Sequence, residues 1–182
     1  LQASLDREFT LPAKDLPILT SADLDTLSGD AIKRGVLKGR LDFDHQIALQ
    51  GQIAKQKSVV YHLVPLLTAD GRTIFVVAAY SEGMKTLPTP ATRGKIDQVT
   101  GVAKAPSWNR FTPDNAPDKE LWFRPDPKQM AEHLKLPEPV PVIFYAEFLN
   151  YKLDALPQVE VPRTLRNDHE QYAMFWYAMA GV

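Results

Sequence analysis

The dipeptide Asp70-Gly71 lies between two apolar, partly β-branched runs, Val59 to Leu67 and Thr73 to Tyr80. Glycine tolerates the positive φ that a tight turn demands, so the two runs predict a β-hairpin. Val59 to Leu67 is apolar at nearly every position, which predicts a strand central in its sheet. The surrounding texture agrees. Ile32 to Leu41, Gln46 to Ile53 and Ile96 to Ala103 read as further strands, and Val140, Val142, Phe144, Ala146 and Phe148 alternate as the dry face of another. Val159 to Leu165 adds a last candidate. Hairpins dominate, and the strand–helix–strand rhythm of a parallel sheet is absent.

Helical signals are few. Leu1, Leu5 and Phe9 stand four apart, one stripe if helical, before Pro12 and Pro17 interrupt; Ser21 to Leu27 predicts a short helix capped by Ser21. Asp126-Pro127-Lys128-Gln129 supplies an N-cap, a first-turn proline and a reciprocal capping glutamine, so a helix follows with Met130, Ala131 and Leu134 on one face. Thr86 to Pro90 reads as loop. Ala105 to Pro127 reads as a longer one, stiffened by Pro106, Pro113, Pro117, Pro125 and Pro127. A segment of this length inside a compact domain is often functional. The fold class expected is α+β, mainly β: an antiparallel sheet, open or closed into a barrel, with one short helix packed on it and a C-terminal helix.

At 182 residues the chain is one domain by length, with a core of ordinary size. A formal charge of −1 without blocks of like charge gives no electrostatic footprint for nucleic acid. The absence of cysteine excludes a thiolate metal site, a cysteine nucleophile and a disulfide framework. The sequence starts at Leu1 rather than Met, as in a processed or trimmed protein.

Catalytic signatures are missing: no glycine-rich phosphate loop, serine elbow or paired-histidine zinc helix is present. Asp42, Asp44 and His45 form the densest acid–histidine group, either a metal or acid–base site or a polar strand end, with Asp42 and Asp44 on one strand face and His45 on the other. Glu132-His133 reads as a solvated pair on the exposed side of the short helix. His62, inside an apolar strand, reads as a hydrogen-bonded core residue.

The last sixteen residues before Gly181 differ from the rest. Leu165-Arg166-Asn167-Asp168-His169-Glu170 is charged, and the eleven residues from Tyr172 to Val182 carry no ionisable group except tyrosine phenols. A membrane-crossing helix needs about 20 apolar residues. The run is therefore either a short core helix or the first part of a transmembrane one; the lack of polar alternation after Tyr172 favours lipid or a partner surface. Asn167 caps this helix, with Glu170 reaching back. His169 shares a helix face with Tyr172, Ala173 and Trp176. Its first-turn position disfavours protonation, so the neutral imidazole could ligate haem iron. The alternative is a first-turn histidine at a membrane boundary with no special partner. Tyr172, Trp176 and Tyr177 suit a water–lipid interface.

Leu165-Arg166-Asn167-Asp168-His169, then Gln171-Tyr172 and Trp176-Tyr177, resembles the surfeit locus protein one (Surf-one) family of cytochrome c oxidase assembly factors. That family carries an Arg-Asn-acidic-His-Leu-Gln-Tyr…Trp-Tyr signature where its second transmembrane helix begins. Phe111, Pro113, Asn115, Pro117, Trp122 and Asp126, running on to Met130-Ala131, match a second family block, and Phe43-Asp44-His45 after Gly39 a third. The Asp70-Gly71 hairpin also fits. Ala78-Ala79-Tyr80-Ser81-Glu82 replaces the family's Asn-Arg-Gly-aromatic, Val159-Glu160-Val161-Pro162-Arg163 replaces its Gly-Gln-Thr-Arg, and Glu170 replaces its leucine. The chain thus resembles a divergent bacterial-type member.

The resemblance implies a non-enzymatic, membrane-anchored assembly factor. Residues 1–20 would follow a first transmembrane helix, 21–166 would form a single extracytoplasmic β-rich domain, and 167–182 would start the second transmembrane helix. The domain would face the periplasm from the bacterial plasma membrane, or the intermembrane space from the mitochondrial inner membrane. Haem a would be held transiently by His169, with Tyr172 and Trp176 against the macrocycle, and passed to the catalytic subunit of cytochrome c oxidase. Phe111, Asn115, Trp122 and Arg166 would meet that subunit or haem a synthase. The simpler role for Phe111 and Trp122 is to cover a sheet edge. Two rivals stand beside this reading: a protein-only scaffold for an oxidase intermediate, and a soluble hydrolase using Asp42, Asp44 and His45.

Overall fold

A computed structural model describes residues 15–83, 86–91 and 93–150. The expectations for Leu1 to Phe9, for the strand Val159 to Leu165 and for the terminal helix lie outside these residues. In chain order the elements are helix α1 (Ser21–Asp25), strands β1 (Ile32–Leu41), β2 (Ile47–Ala54), β3 (Lys57–Thr68), β4 (Thr73–Ser81) and β5 (Asp97–Lys104), a 3₁₀ turn at Pro117–Lys119, helix α2 (Pro127–Leu134) and strand β6 (Pro139–Leu149). The expected strands are present with ends shifted by a residue or two.

The Asp70-Gly71 turn joins β3 to β4 as anticipated. Gly71 takes φ +81°, and its amide donates to the Thr68 carbonyl at 3.0 Å. Helix α1 is pinned against this turn: the Ser21 hydroxyl donates to Asp70 Oδ1 at 3.1 Å, and Arg72 pairs with Asp25 at 2.6 Å. Ser21 therefore does not cap the helix. Thr20 does, in a reciprocal box with Asp23. The β2–β3 hairpin turns through Lys55 and Gln56, both at positive φ, without the Asn or Gly that would have announced it.

The sheet runs β1-β5-β6-β4-β3-β2, and β1 also pairs with β3 through Gly39, Arg40 and Leu41, so five strands form a circuit of pairings with β2 added outside. Every pairing between these strands is antiparallel except β4–β6, which is parallel. That pair has no local sequence signature, because β5 and the long connection from residue 105 to 138 separate its strands.

Two cores flank this sheet. Leu37, Val64, Leu66, Ile74, Val76, Val99 and Phe144 belong to one. Leu63, Phe75, Val77 and Ile143 belong to the other, where Trp122, Met130 and Ala131 cover them. Strands β3 and β4 are thus buried on both faces, which is why Val59 to Leu67 shows no alternation. β6 alternates as expected up to Ala146, but Phe148 is 52% exposed rather than dry. The ladder explains it: Gly101 pairs with Ala146 and Thr100 with Phe148, so Glu147 is an extra residue that reverses the phase beyond it. At this bulge the backbones crowd; a Cβ on Gly101 would stand 2.1 Å from the Tyr145 carbonyl oxygen.

Candidate functional site

The proline-rich segment is built around two side chains. Asn115 makes four hydrogen bonds with its amide: Oδ1 accepts from the Phe123 and Arg124 backbone amides at 2.7 and 2.8 Å, while Nδ2 donates to the Arg124 carbonyl and to Gln129 Oε1, both at 2.9 Å. Primary-amide capacity is thereby saturated inside the protein. Gln129 is consequently not the reciprocal cap of α2; Asp126 alone caps, accepting from the Gln129 amide at 3.4 Å. Trp122 is 1% exposed and belongs to the second core. Its carbonyl accepts from the Gln50 amide at 2.8 Å, at the irregularity in β2 where Gly51 has φ +74°. Trp122 thus covers the outer edge of β2, as the simpler reading of the loop had it. His133 packs edge-on against the indole, 5.5 Å between centroids, with Nε2 3.0 Å from Glu120 Oε1. The expected solvated Glu132-His133 pair is therefore corrected: Glu132 is exposed, but His133 is half-buried under the loop.

Phe111 and Trp108 face outward from this base, 42% and 36% exposed. The Arg110 guanidinium lies 4.7 Å from the Phe111 ring centroid, and Arg124 lies 6.0 Å from that of Trp108. Arg124 also donates to the Thr112 carbonyl at 2.8 Å and pairs with Asp114. The segment is thus an anchored platform with two aromatic rings outermost, each beside an arginine.

Asp42, Asp44 and His45 do come together, in the turn after β1 rather than on opposite strand faces. His45 Nδ1 is 2.6 Å from Asp42 Oδ2, and the Asp44 amide donates to Asp42 Oδ1 at 3.1 Å. This is a turn closed by a carboxylate, not an array with converging ligands. Among the described residues no group of three His, Cys, Asp or Glu side chains could hold a metal ion.

His62 is the core residue expected, 1% exposed, with Nε2 2.7 Å from Ser81 Oγ. The Ser81 hydroxyl donates its one proton to the Gly83 carbonyl at 2.6 Å, so Nε2 must be the donor to Ser81. Burial lowers the imidazole pKa below its ordinary 6.5. The unfolded chain then binds a proton that the folded chain refuses, and stability falls as pH drops below the unfolded value towards the folded one. Urea midpoints should decline as pH falls below about 6.5, and His62→Gln should flatten that decline. An equal slope in the variant would assign the effect to another group.

Arg166, His169, Tyr172 and Trp176 lie outside the described residues. The other three of the four histidines are each committed through one ring nitrogen, to Asp42, Ser81 and Glu120. Among the described residues no helix is long and apolar enough to cross a membrane.

The sequence matches the SURF1 family over residues 2–181. It is similar to "Surfeit locus protein 1" of Rattus norvegicus, 27% identical over 137 residues, covering 72% of this chain and 44% of that protein. The Mus musculus protein of the same name is 26% identical over 137 residues, with the same coverage. A "SURF1-like protein" of Rickettsia felis is 25% identical over 173 residues, covering 85% of this chain and 76% of the relative. The chain spans less than half the length of the two mammalian proteins. A match across nearly every residue, resting on a mainly β domain with a proline-rich loop seated on its sheet, leaves one assignment: this chain belongs to the SURF1 family.

Proposed function

We propose that the chain is a membrane-anchored assembly factor for cytochrome c oxidase, not an enzyme, and that it assists haem a insertion into the catalytic subunit. The observation that carries this reading is the family match over residues 2–181. Residues 167–182 start a second transmembrane helix, and the β-rich domain lies on the periplasmic side of a bacterial plasma membrane, or in the intermembrane space if the organism is eukaryotic. His169 offers a neutral imidazole to the iron, and Tyr172 and Trp176, one and two turns on, flank it with aromatic faces. When bound, haem a supplies the redox-active iron of the oxidase; this chain's part is to hold and orient it out of water.

The docking role divides along the geometry of the loop. Asn115 and Trp122 shape the platform from within, and Phe111 presents the contact ring to the oxidase subunit or to haem a synthase. Arg166 flanks the membrane boundary.

The full-length protein, purified from cells that make haem a, is expected to show a Soret band, and His169→Ala should remove most of it. Undiminished haem loading in that variant would take His169 out of the mechanism. A scaffold acting through protein contacts alone is the second reading, supported by the outward rings on a rigid base. It expects co-purification with the oxidase subunit, no pigment, and loss of the complex on Phe111→Ala.

A further inference from the structure

Three apolar side chains, Ile18, Ile96 and Phe148, are each more than half exposed, and they gather where the described chain begins and ends. The ladders bring them together. Ile18 bridges Val36 in parallel, with the Val36 amide donating to the Pro17 carbonyl and the Leu19 amide to the Val36 carbonyl. Val36 pairs with Thr100, and Thr100 with Phe148. Directly paired residues share a face, and chain neighbours take the other one. Leu19, Leu37 and Val99 are buried in the first core, so the row Ile18–Val36–Thr100–Phe148 is turned outward. Three strand spacings put the ends of this row about 14 Å apart. Ile96 borders it, because its carbonyl accepts from Asn150 Nδ2 at 3.2 Å. Strand β5, which carries the middle of the row, lies across the circuit of strands from β3, to which β2 is added; the row therefore faces away from β2.

The free charges beside this row are mostly positive. Lys38 is exposed two residues along the same face of β1, opposite Gln98, and Lys95 is exposed next to Ile96. Neither makes an ion pair among the described residues. The nearby acids are largely spent: Glu147 is paired with Arg34, and Asp97 is buried on the inner side. Exposed Asp15, just before Ile18 in the chain, is the one that opposes the lysines.

We propose that this face lies on a bilayer containing anionic lipid, with Ile18 and Phe148 at the boundary between headgroups and acyl chains and Lys38 and Lys95 on lipid phosphates. Apolar groups gain from burial at that boundary, and lysines from the potential of an anionic leaflet. The inference rests on the anchored reading above. Residues 1–14 and 151–182 continue from the two ends of the row, so a chain held in the membrane on both sides brings this face to the lipid first.

The chain has no cysteine, so a single one can carry a fluorophore: Thr100→Cys in the row, Lys57→Cys at the exposed start of β3, or Ala178→Cys in the tail. The full chain is mixed with vesicles of phosphatidylcholine, phosphatidylglycerol and a nitroxide lipid that quenches labels at the bilayer surface. The Thr100 label should be quenched at least about threefold more than the Lys57 label. Lys38→Glu with Lys95→Glu should weaken vesicle binding at least about tenfold. Ile18→Ser with Phe148→Ser, both at exposed positions, should remove the quenching at Thr100 and leave the circular dichroism of the domain unchanged. Quenching of the Ala178 label without the Thr100 label would overturn the inference and leave the anchored reading standing. Quenching at Thr100 without Ala178 would support the docked face and count against insertion of the tail. Equal quenching at Lys57 and Thr100, binding unmoved by both double variants, or a Thr100 label shielded without lipid by the chain itself or a second copy would each overturn the inference.

Discussion

Trp122→Ala is expected to lower the stability of the domain by about 3–5 kcal/mol, the range for truncating a fully buried large aromatic. The ring is 1% exposed and is packed in the core that also holds Leu49, Leu63, Phe75, Met130 and Ile143, so those neighbours belong to five different elements. Removing it leaves a cavity that no single side chain can collapse into. The urea midpoint should fall accordingly, and the thermal midpoint by roughly 10 °C. A second readout separates loss of packing from release of the loop. The Gln50 amide donates to the Trp122 carbonyl, a backbone group that survives the substitution. If the indole is what seats the proline-rich segment, hydrogen exchange at Gln50 will accelerate more than at Leu63, whose backbone lies inside the β3 ladders. Trp122→Phe should cost less than half as much, because the indole Nε1 is buried without a partner and its removal relieves that penalty. A change within about 0.5 kcal/mol for Trp122→Ala would mean the segment is not anchored through this ring.

The same residue shows how far the sequence could be read. The hairpin at Asp70-Gly71, the span of β1 and the buried face of α2 were legible because each is written in adjacent residues: a turn dipeptide, a run of alternation, a cap followed by a proline. Trp122 offered no such sign. An isolated tryptophan among prolines suits an exposed anchor as well as a core plug, and only the position of the loop over β2 decides. Asn115 was picked out by family spacing as a contact residue, yet all four of its amide bonds run to its own loop and to Gln129. Gln129 looked like half of a capping box because the motif is local, but a partner fourteen residues earlier in the chain took its side chain. The parallel β4–β6 pairing and the ion pair of Arg40 with Asp97 share one cause: they join parts of the chain whose separation carries no periodicity. Arg40 and Asp97 converge because β1 and β5 are neighbours, and neither strand's own pattern says so.

The ion pair between Arg34 and Glu147 gives the second large expectation, and one whose size depends on how it is tested. Both strands that carry these residues flank β5, and Glu147 is the residue left over at the β6 bulge, turned towards Arg34 across the strand between them. The contact is two-pronged, Nε to Oε1 at 2.7 Å and Nη2 to Oε2 at 3.0 Å, with side chains only 8% and 10% exposed. Breaking it from either side leaves a desolvated charge behind, so Arg34→Ala or Glu147→Ala should each cost about 3–5 kcal/mol. Replacing both at once is a different experiment. Arg34→Met with Glu147→Leu removes both desolvation penalties together with the attraction between the two side chains, and the double variant should cost well below the sum of the two single truncations. Strict additivity in that double variant would show that the two side chains do not compensate one another. Compensation would instead identify the bulge as a fixed joint: its geometry is set by backbone crowding at Gly101, and the ion pair fills the space the extra residue creates.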